Sequence, residues 1–235
     1  MSTLSIWNTG RHVLAASAMS VLAAACATAP AEEAPVETAE PNIEAIHERV
    51  LVLDAHADIV LPSTSALYLA ADGESKVEPS KLEAGGVDAV VMAVAVGPGP
   101  RTAEGDAAAR AETDEKLAAV QALVASSPET LALVTSADEI MATVESGQTA
   151  LILGFQNARA FGGDVDAIDA FYEAGVRVFG FNHIGHNDFS DSSRPVFISE
   201  LGAYEPAEEH NGLSELGVAA VARINALGGV IDVSQ

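Results

Sequence analysis

Asp54, His56 and Asp58 occupy alternate positions in an apolar run, Leu51-Val-Leu-Asp54-Ala-His56-Ala-Asp58. Side chains alternate faces along an extended strand, so this spacing predicts three polar groups on one face and Ala55 and Ala57 on the other. Buried in mid-strand such a cluster is costly, but at the carboxyl end of a barrel strand it opens into the mouth where sites form. Imidazole nitrogen and carboxylate oxygen are good zinc ligands. His56 and Asp58 are therefore candidate metal ligands, with Asp54 as a partner that orients the histidine. Alone, a His-x-Asp pair is short and common and reads first as a solvated strand end.

His183 closes a second apolar run, residues 176–183, and is either a capped polar group at a strand end or a group facing a ligand. Nearby His186 reads as a loop histidine. The chain has one cysteine, Cys26, which excludes an intrachain disulfide and a thiolate zinc cluster. Any metal must be held by His and carboxylate groups.

The elements that would position these residues alternate along the chain. Short runs rich in Val and Ile, at residues 50–58, 87–96, 131–135, 150–156, 176–183 and 229–235, read as strands. Amphipathic stretches at 103–125, 137–145, 165–174 and 216–227 read as helices, the third capped by Asp164 and stopped by Gly175. This alternation predicts an α/β protein with a parallel sheet. The final run is apolar with no covering helix after it, so a further C-terminal portion is expected. A complete barrel of eight strand and helix units needs about 250 residues.

Of 235 residues, 49% are hydrophobic, enough to bury a substantial core, and a formal charge of -23 opposes the phosphate contacts of nucleic-acid binding. Nucleic acid is not an expected partner. Arg11 and His12 precede an apolar run over residues 13–25 that is shorter than the roughly 20 residues of a membrane span and reads as a signal peptide over residues 1–26. Cys26 follows Leu22-Ala-Ala-Ala25, which resembles a lipoprotein box with Ala23 where leucine is usual, although the small residues also suit an ordinary export peptidase. Residues 27–41 are an Ala/Pro/Glu tether, and the folded domain is expected over 42–235. The expected location is the periplasm or the envelope, with membrane contact only through a lipid on Cys26.

The polar motifs taken together resemble the renal, or membrane, dipeptidase family of zinc peptidases. Asp54-Ala-His56-Ala-Asp58 matches that family's opening Asp-x-His-x-Asp. Similarity continues through Lys81-Leu-Glu-Ala-Gly-Gly-Val-Asp-Ala, Tyr172-Glu-Ala-Gly-Val-Arg177, Asn182-His183 and residues 188–192. It ends in Asn211-Gly-Leu-Ser-Glu-Leu-Gly217 and residues 224–234, so the matches run in family order from about residue 44 to the last residue. The resemblance implies a (β/α)8 TIM barrel of the metal-dependent hydrolase type, represented by roughly its first two-thirds. It also implies two zinc ions bridged by a glutamate and a hydroxide, and hydrolysis of dipeptides by metal-activated water. By that resemblance His56 and Asp58 hold the first metal and His183 contacts substrate.

Two positions depart from the pattern. Gln156 stands where the family has the bridging glutamate, and Gln235 where it has a metal-binding histidine. An amide carries no charge to offset two cations and its nitrogen does not ligate, so the second metal site is doubtful and weak activity is expected. The family's catalytic aspartate would fall beyond Gln235. The leading reading is an exported zinc dipeptidase; the alternative is a non-catalytic envelope protein that binds a small peptide in the same barrel mouth. A different amide or lactone hydrolysis is a third, since this barrel hosts many reactions. A homodimer is left open.

Overall fold

The computed structural model describes residues 40–199 and 201–235. The expected signal segment with Cys26, and all but the last two residues of the expected tether, lie outside the described residues. Among the described residues, fourteen α-helices and strands follow one another. They are α1 (Ile43–His47), β1 (Leu53–Asp58), α2 (Pro79–Ala84), β2 (Ala89–Ala95), α3 (Ala103–Ser126), β3 (Leu131–Val134) and α4 (Ala137–Glu145). Then come β4 (Thr149–Gln156), α5 (Ala167–Glu173), β5 (Val176–Gly180), β6 (Phe197–Ile198), β7 (Ala203–Tyr204), α6 (Glu215–Leu227) and β8 (Val230–Asp232).

Six strands form one parallel sheet in the order β1-β2-β4-β5-β8, and β3 pairs with β4. Both β3 and β5 lie on the same edge of β4: β3 pairs along residues 149–152 and β5 along 153–156. The result is a parallel α/β half-barrel whose end strands are β1 and β8. Every residue of β2 and β4 is buried, as expected for parallel strands covered on both faces. β1 is largely exposed.

Register rows across the sheet define its faces. Asp58, Ala93, Gly154, Val178 and Val230 form one row, and Ala95, Gln156, Gly180 and Asp232 form the row beyond it towards the strand ends. Between them lies a row of Val94, Phe155, Phe179 and Ile231, whose first three members are buried against helices α3, α5 and α6. That larger core includes Val120, Ile168, Phe171, Ala220 and Ile224. Phe155 stacks on Phe161 with centroids 4.5 Å apart. On the opposite face a smaller cluster joins Ala89, Val91, Val134, Ala150 and Ile152.

Local chemistry fixes the helix starts. The hydroxyls of Thr102, Ser136 and Ser214 accept the amides of Gly105, Glu139 and Gly217, capping α3, α4 and α6. The cap expected at Asp164 is not made. Its carboxylate accepts the Asp166 amide at 2.9 Å in a tight turn, and α5 begins after Asp166 without a side-chain cap. Gly175 ends that helix as expected, with φ 103°. The run expected as strand over 176–183 stops at Gly180, because beyond it the Asn182 amide turns back to the carbonyls of Gly185 and Ser190. The last strand is likewise shorter than its apolar run and spans Val230–Asp232. Among the described residues, no helix is long and apolar enough to cross a membrane.

Candidate functional site

The carboxyl ends of the strands bring the sequence-predicted residues to one side of the half-barrel. His56 Nε2 and Asp58 Oδ1 are 3.7 Å apart, longer than a hydrogen bond but close enough for ion pairing. This contact with Asp58 is the main influence raising the His56 pKa; partial burial opposes it, while the fields of Asp58, Asp232 and Asp54 add to it. Reciprocally, the His56 contact lowers the Asp58 pKa against the effect of burial, helped by His56, Lys116 and His183.

Asp54 does not share their face. A register shift between Asp54 and Ala57 pairs Asp54 with Val90 but Asp58 with Ala93, and Val90 and Ala93 lie on opposite faces of β2. Asp54 Oδ1 accepts the backbone amide of His56 at 3.0 Å, so it shapes the bulge and makes no bond to the imidazole ring.

Gln156 ends β4 and is buried at 4% exposure in the outer row. Ala95 and Gly180 flank it in that row, and Asp232 lies beyond Gly180. A Cβ placed on Gly180 would stand 3.5 Å from Gln156 Cγ and 3.8 Å from Asp232 Oδ2, so the glycine leaves a gap between these two side chains. Asp232 is therefore a member of the mouth that residue spacing did not single out. The signal was its place in Val230-Ile-Asp232, a carboxylate ending an apolar strand.

His183 and Gln235 are tied together through Ser192. The Ser192 hydroxyl lies 3.2 Å from both main-chain carbonyl oxygens, and the Ser193 amide donates to Gln235 O at 2.7 Å. Their side chains each leave a buried atom without a partner, Nδ1 of His183 and Oε1 of Gln235. Burial lowers the His183 pKa; Asp58 works the other way, and Arg194, His56 and Lys116 reinforce the lowering. A neutral imidazole is the form that accepts a proton or contacts a cation.

His186 is a structural residue, in line with its reading as a loop histidine. Its Nδ1 accepts the Ser192 amide at 2.9 Å, which places the ring proton on Nε2, 2.8 Å from Pro206 O. The 3.6 Å approach of Asp191 to Nδ1 is therefore no hydrogen bond. Behind it a buried amide network holds the loops. Asn157 Nδ2 donates to Val96 O and Gly97 O, and Asn187 Nδ2 donates to Asn157 Oδ1 and Phe181 O.

Among the described residues, no three His, Cys, Asp or Glu side chains stand close enough together to enclose a metal. The donors that do converge are His56 and Asp58, with Asp232 close enough to influence His56. A cavity of about 560 Å³ lies elsewhere, between the segment after β1 and helix α3, and is lined by Ile59, Leu61, Val77, Ala119 and Leu123. None of the predicted site residues lines it.

The membrane dipeptidase family, peptidase family M19, matches over residues 40–235. A dipeptidase of Aspergillus oryzae, aclJ, is 33% identical over 89 residues, which is 38% of this chain and 19% of that protein. The crystal structure of the probable dipeptidase PvdM from Pseudomonas aeruginosa superposes with a TM-score of 0.71 at 29% identity, covering 82% of this chain and 48% of that one. A metallopeptidase from Rhodobacter sphaeroides, solved with a phosphinate mimic of the dipeptide L-Ala-D-Ala, shares the fold with a TM-score of 0.62 at 20% identity. It is covered over 58% of its length by 78% of this chain. The chain thus spans about half the length of the solved structures it matches.

Proposed function

This chain belongs to the membrane dipeptidase family, peptidase family M19, and we propose on that footing that its barrel mouth serves a metal-dependent hydrolysis of dipeptides or similar small amides. The observation that carries the proposal is the 3.7 Å approach of His56 and Asp58 at the end of β1, on the sheet face that also carries Gln156 and Asp232. An imidazole nitrogen and a carboxylate oxygen 3.7 Å apart suit one divalent ion of the zinc type. The buried, unpartnered Gln235 Oε1 is a further neutral oxygen donor. Zinc held there would polarise a carbonyl and activate water. His183, kept neutral by burial, would contact the substrate.

Gln156 weakens a second ion. A glutamate there would give one oxygen to each of two cations, whereas the amide offers one neutral oxygen, so the donors fit one metal and not two. Weak hydrolysis follows. The purified chain, loaded with zinc, should turn over dipeptides below the ordinary enzymatic range of about 10⁴ M⁻¹s⁻¹ in kcat/KM, and His56→Ala should abolish both metal uptake and turnover. Efficient turnover would overturn the impairment. Failure to take up any divalent metal would overturn the function.

The buried Gln156 amide also favours a second reading, in which the mouth binds a small peptide without cleaving it. Dipeptide binding by calorimetry with no hydrolysis over hours would decide for it. Export through residues 1–26, with lipid on Cys26, is a further proposal that rests on the sequence. The mass of the mature amino terminus tests it, and an unmodified residue beyond Cys26 would refute the anchor.

A further inference from the structure

The cavity of about 560 Å³ away from the mouth has two walls that keep their shapes separately. One is the carboxyl-terminal part of α3, where Ala119, Ala122, Leu123 and Ser126 recur at helical spacing along one face and three of the four are small. The other is the segment 59–78. Within it Thr64 Oγ1 accepts the Leu61 amide, the Ala70 amide donates to Glu74 O at 2.8 Å, and Lys81 Nζ at its end holds Asp72 and Ser75 O, each at 2.8 Å. Gly73 turns the segment with φ 83°, and a Cβ there would meet nothing within 4 Å. Each of these bonds lies within residues 61–81 and none reaches α3, so the space between the walls is open without a ligand to hold it apart. Its lining is mostly apolar, with Ile59, Leu61, Leu69, Val77 and Leu123. Its charged members are the exposed Glu74 and the half-buried Glu78, and no Lys, Arg or His lines it.

We propose that this cavity is a second ligand site, separate from the mouth, for an amphipathic organic cation whose apolar body lies against Ile59, Leu61 and Leu123 and whose ammonium meets Glu74 and Glu78. The volume is of the size that takes small organic molecules, roughly 300 to 1,000 Å³. Charge selects among them. An anion would face two carboxylates with no cation in the lining to offset them. A wholly apolar ligand would displace water from those carboxylates and give them nothing in return. An alkylammonium satisfies both parts of the lining, because its chain covers the apolar wall and its three N–H donors answer the carboxylates. The site shares no residue with the mouth, so the inference stands or falls apart from the metal reading.

Calorimetric titration of the full chain with n-octylammonium, octan-1-ol and octanoate, each below its micelle concentration, tests it. Octylammonium should saturate at one per chain and bind about tenfold more tightly than octan-1-ol, with octanoate weaker than both. The double variant Glu74→Gln, Glu78→Gln should bring octylammonium down to the affinity of octan-1-ol and leave octan-1-ol unchanged. The chain is acidic throughout, so a cation could also gather on the general surface. Ala122→Trp separates the two cases by placing an indole in the cavity while leaving every carboxylate, and it should abolish saturable binding of octylammonium and octan-1-ol alike. Circular dichroism melting confirms that each form is folded, and Ser126→Trp replaces the Ala122 variant if that one does not fold. No saturable octylammonium binding, or binding unmoved by the indole, overturns the site. Octanoate binding as tight as octylammonium, or an octylammonium affinity unmoved in the double glutamine variant, overturns the selection for a cation.

Discussion

His56 Nε2 lies 3.7 Å from Asp58 Oδ1, with both side chains partly open to water at 39% and 54% exposure. The pair is consequently screened, and its contribution to stability is about 0.5 kcal/mol. Its pH dependence has a definite sign. A folded-state His56 pKa above the ordinary value stabilises the protein at low pH, and that gain is lost as the pH rises through the raised value. The depressed Asp58 pKa adds stability above the ordinary carboxylate range, lost as the pH falls through the lowered value. Melting of metal-free wild type and Asp58→Asn should therefore differ most near pH 5 to 6 and converge above about pH 8. A difference that grows towards pH 8 would contradict the pairing.

Asp191 offers a stronger acid response. Its side chain is 10% exposed, and its carboxylate accepts the backbone amides of Glu209, His210 and Gly212 at 2.8 to 3.2 Å. Burial pushes its pKa upward, but those three amides bring it below the ordinary value. The stabilisation is present above about pH 4 and lost as acid protonates the folded carboxylate. Asp191→Ala should cost about 2 to 3 kcal/mol at neutral pH, from amides left without their charged acceptor. Its stability curve should also be flatter than that of wild type between pH 5 and 3. A neutral-pH loss without that flattening would remove the carboxylate's charge from the explanation.

The sheet and its helices were legible because burial on both faces leaves continuous Val, Ile and Ala runs, as in β2 and β4. His56, Asp58 and Gln156 were legible because each ends such a run. The bulge that turns Asp54 away was not, since strict alternation assumes an unbroken register and the shift depends on how β1 pairs with β2. Helices α1 and α2 are too short to show a repeating apolar stripe. The β6–β7 hairpin has two-residue strands, joined across the pair by the edge-on contact of Phe197 and Tyr204. Lys116 was hidden for a different reason. Four residues after Glu112 on a helix, it reads as an ordinary surface pair, and its bond to Ala95 O exists only in the tertiary fold.

Asn157 combines strain with bonding, and two substitutions separate them. It adopts φ 90°, where a side chain other than glycine is disfavoured, while its amide spans Val96 O, Gly97 O and the Asn187 side chain. Asn157→Ala should cost about 2 to 3 kcal/mol, through the lost bonds, with the strained conformation kept as in wild type. Asn157→Gly loses the same bonds but tolerates the conformation, so it should melt higher than the alanine variant by the equivalent of about 1 kcal/mol. Equal losses in the two variants would show that the backbone conformation carries no cost.

The contact of α6 with the loop before it depends on one glycine. A Cβ on Gly217 would lie 2.1 Å from Phe189 O and 3.0 Å from Leu213 Cδ2, and the first of these is backbone that cannot rotate aside. The same loop is held by the Ser214 hydroxyl, which donates to Asp188 O at 2.6 Å. Helix propensity alone favours alanine over glycine by about 1 kcal/mol, so a stabilising effect is expected wherever space allows. Here the clash wins. Gly217→Ala should destabilise by about 3 kcal/mol, whereas Val218→Ala, at an adjacent position 58% exposed, should change stability by less than about 0.5 kcal/mol. Chemical denaturation of the two variants side by side tests this, and a Gly217→Ala protein as stable as wild type would show that α6 does not pack this closely on Phe189.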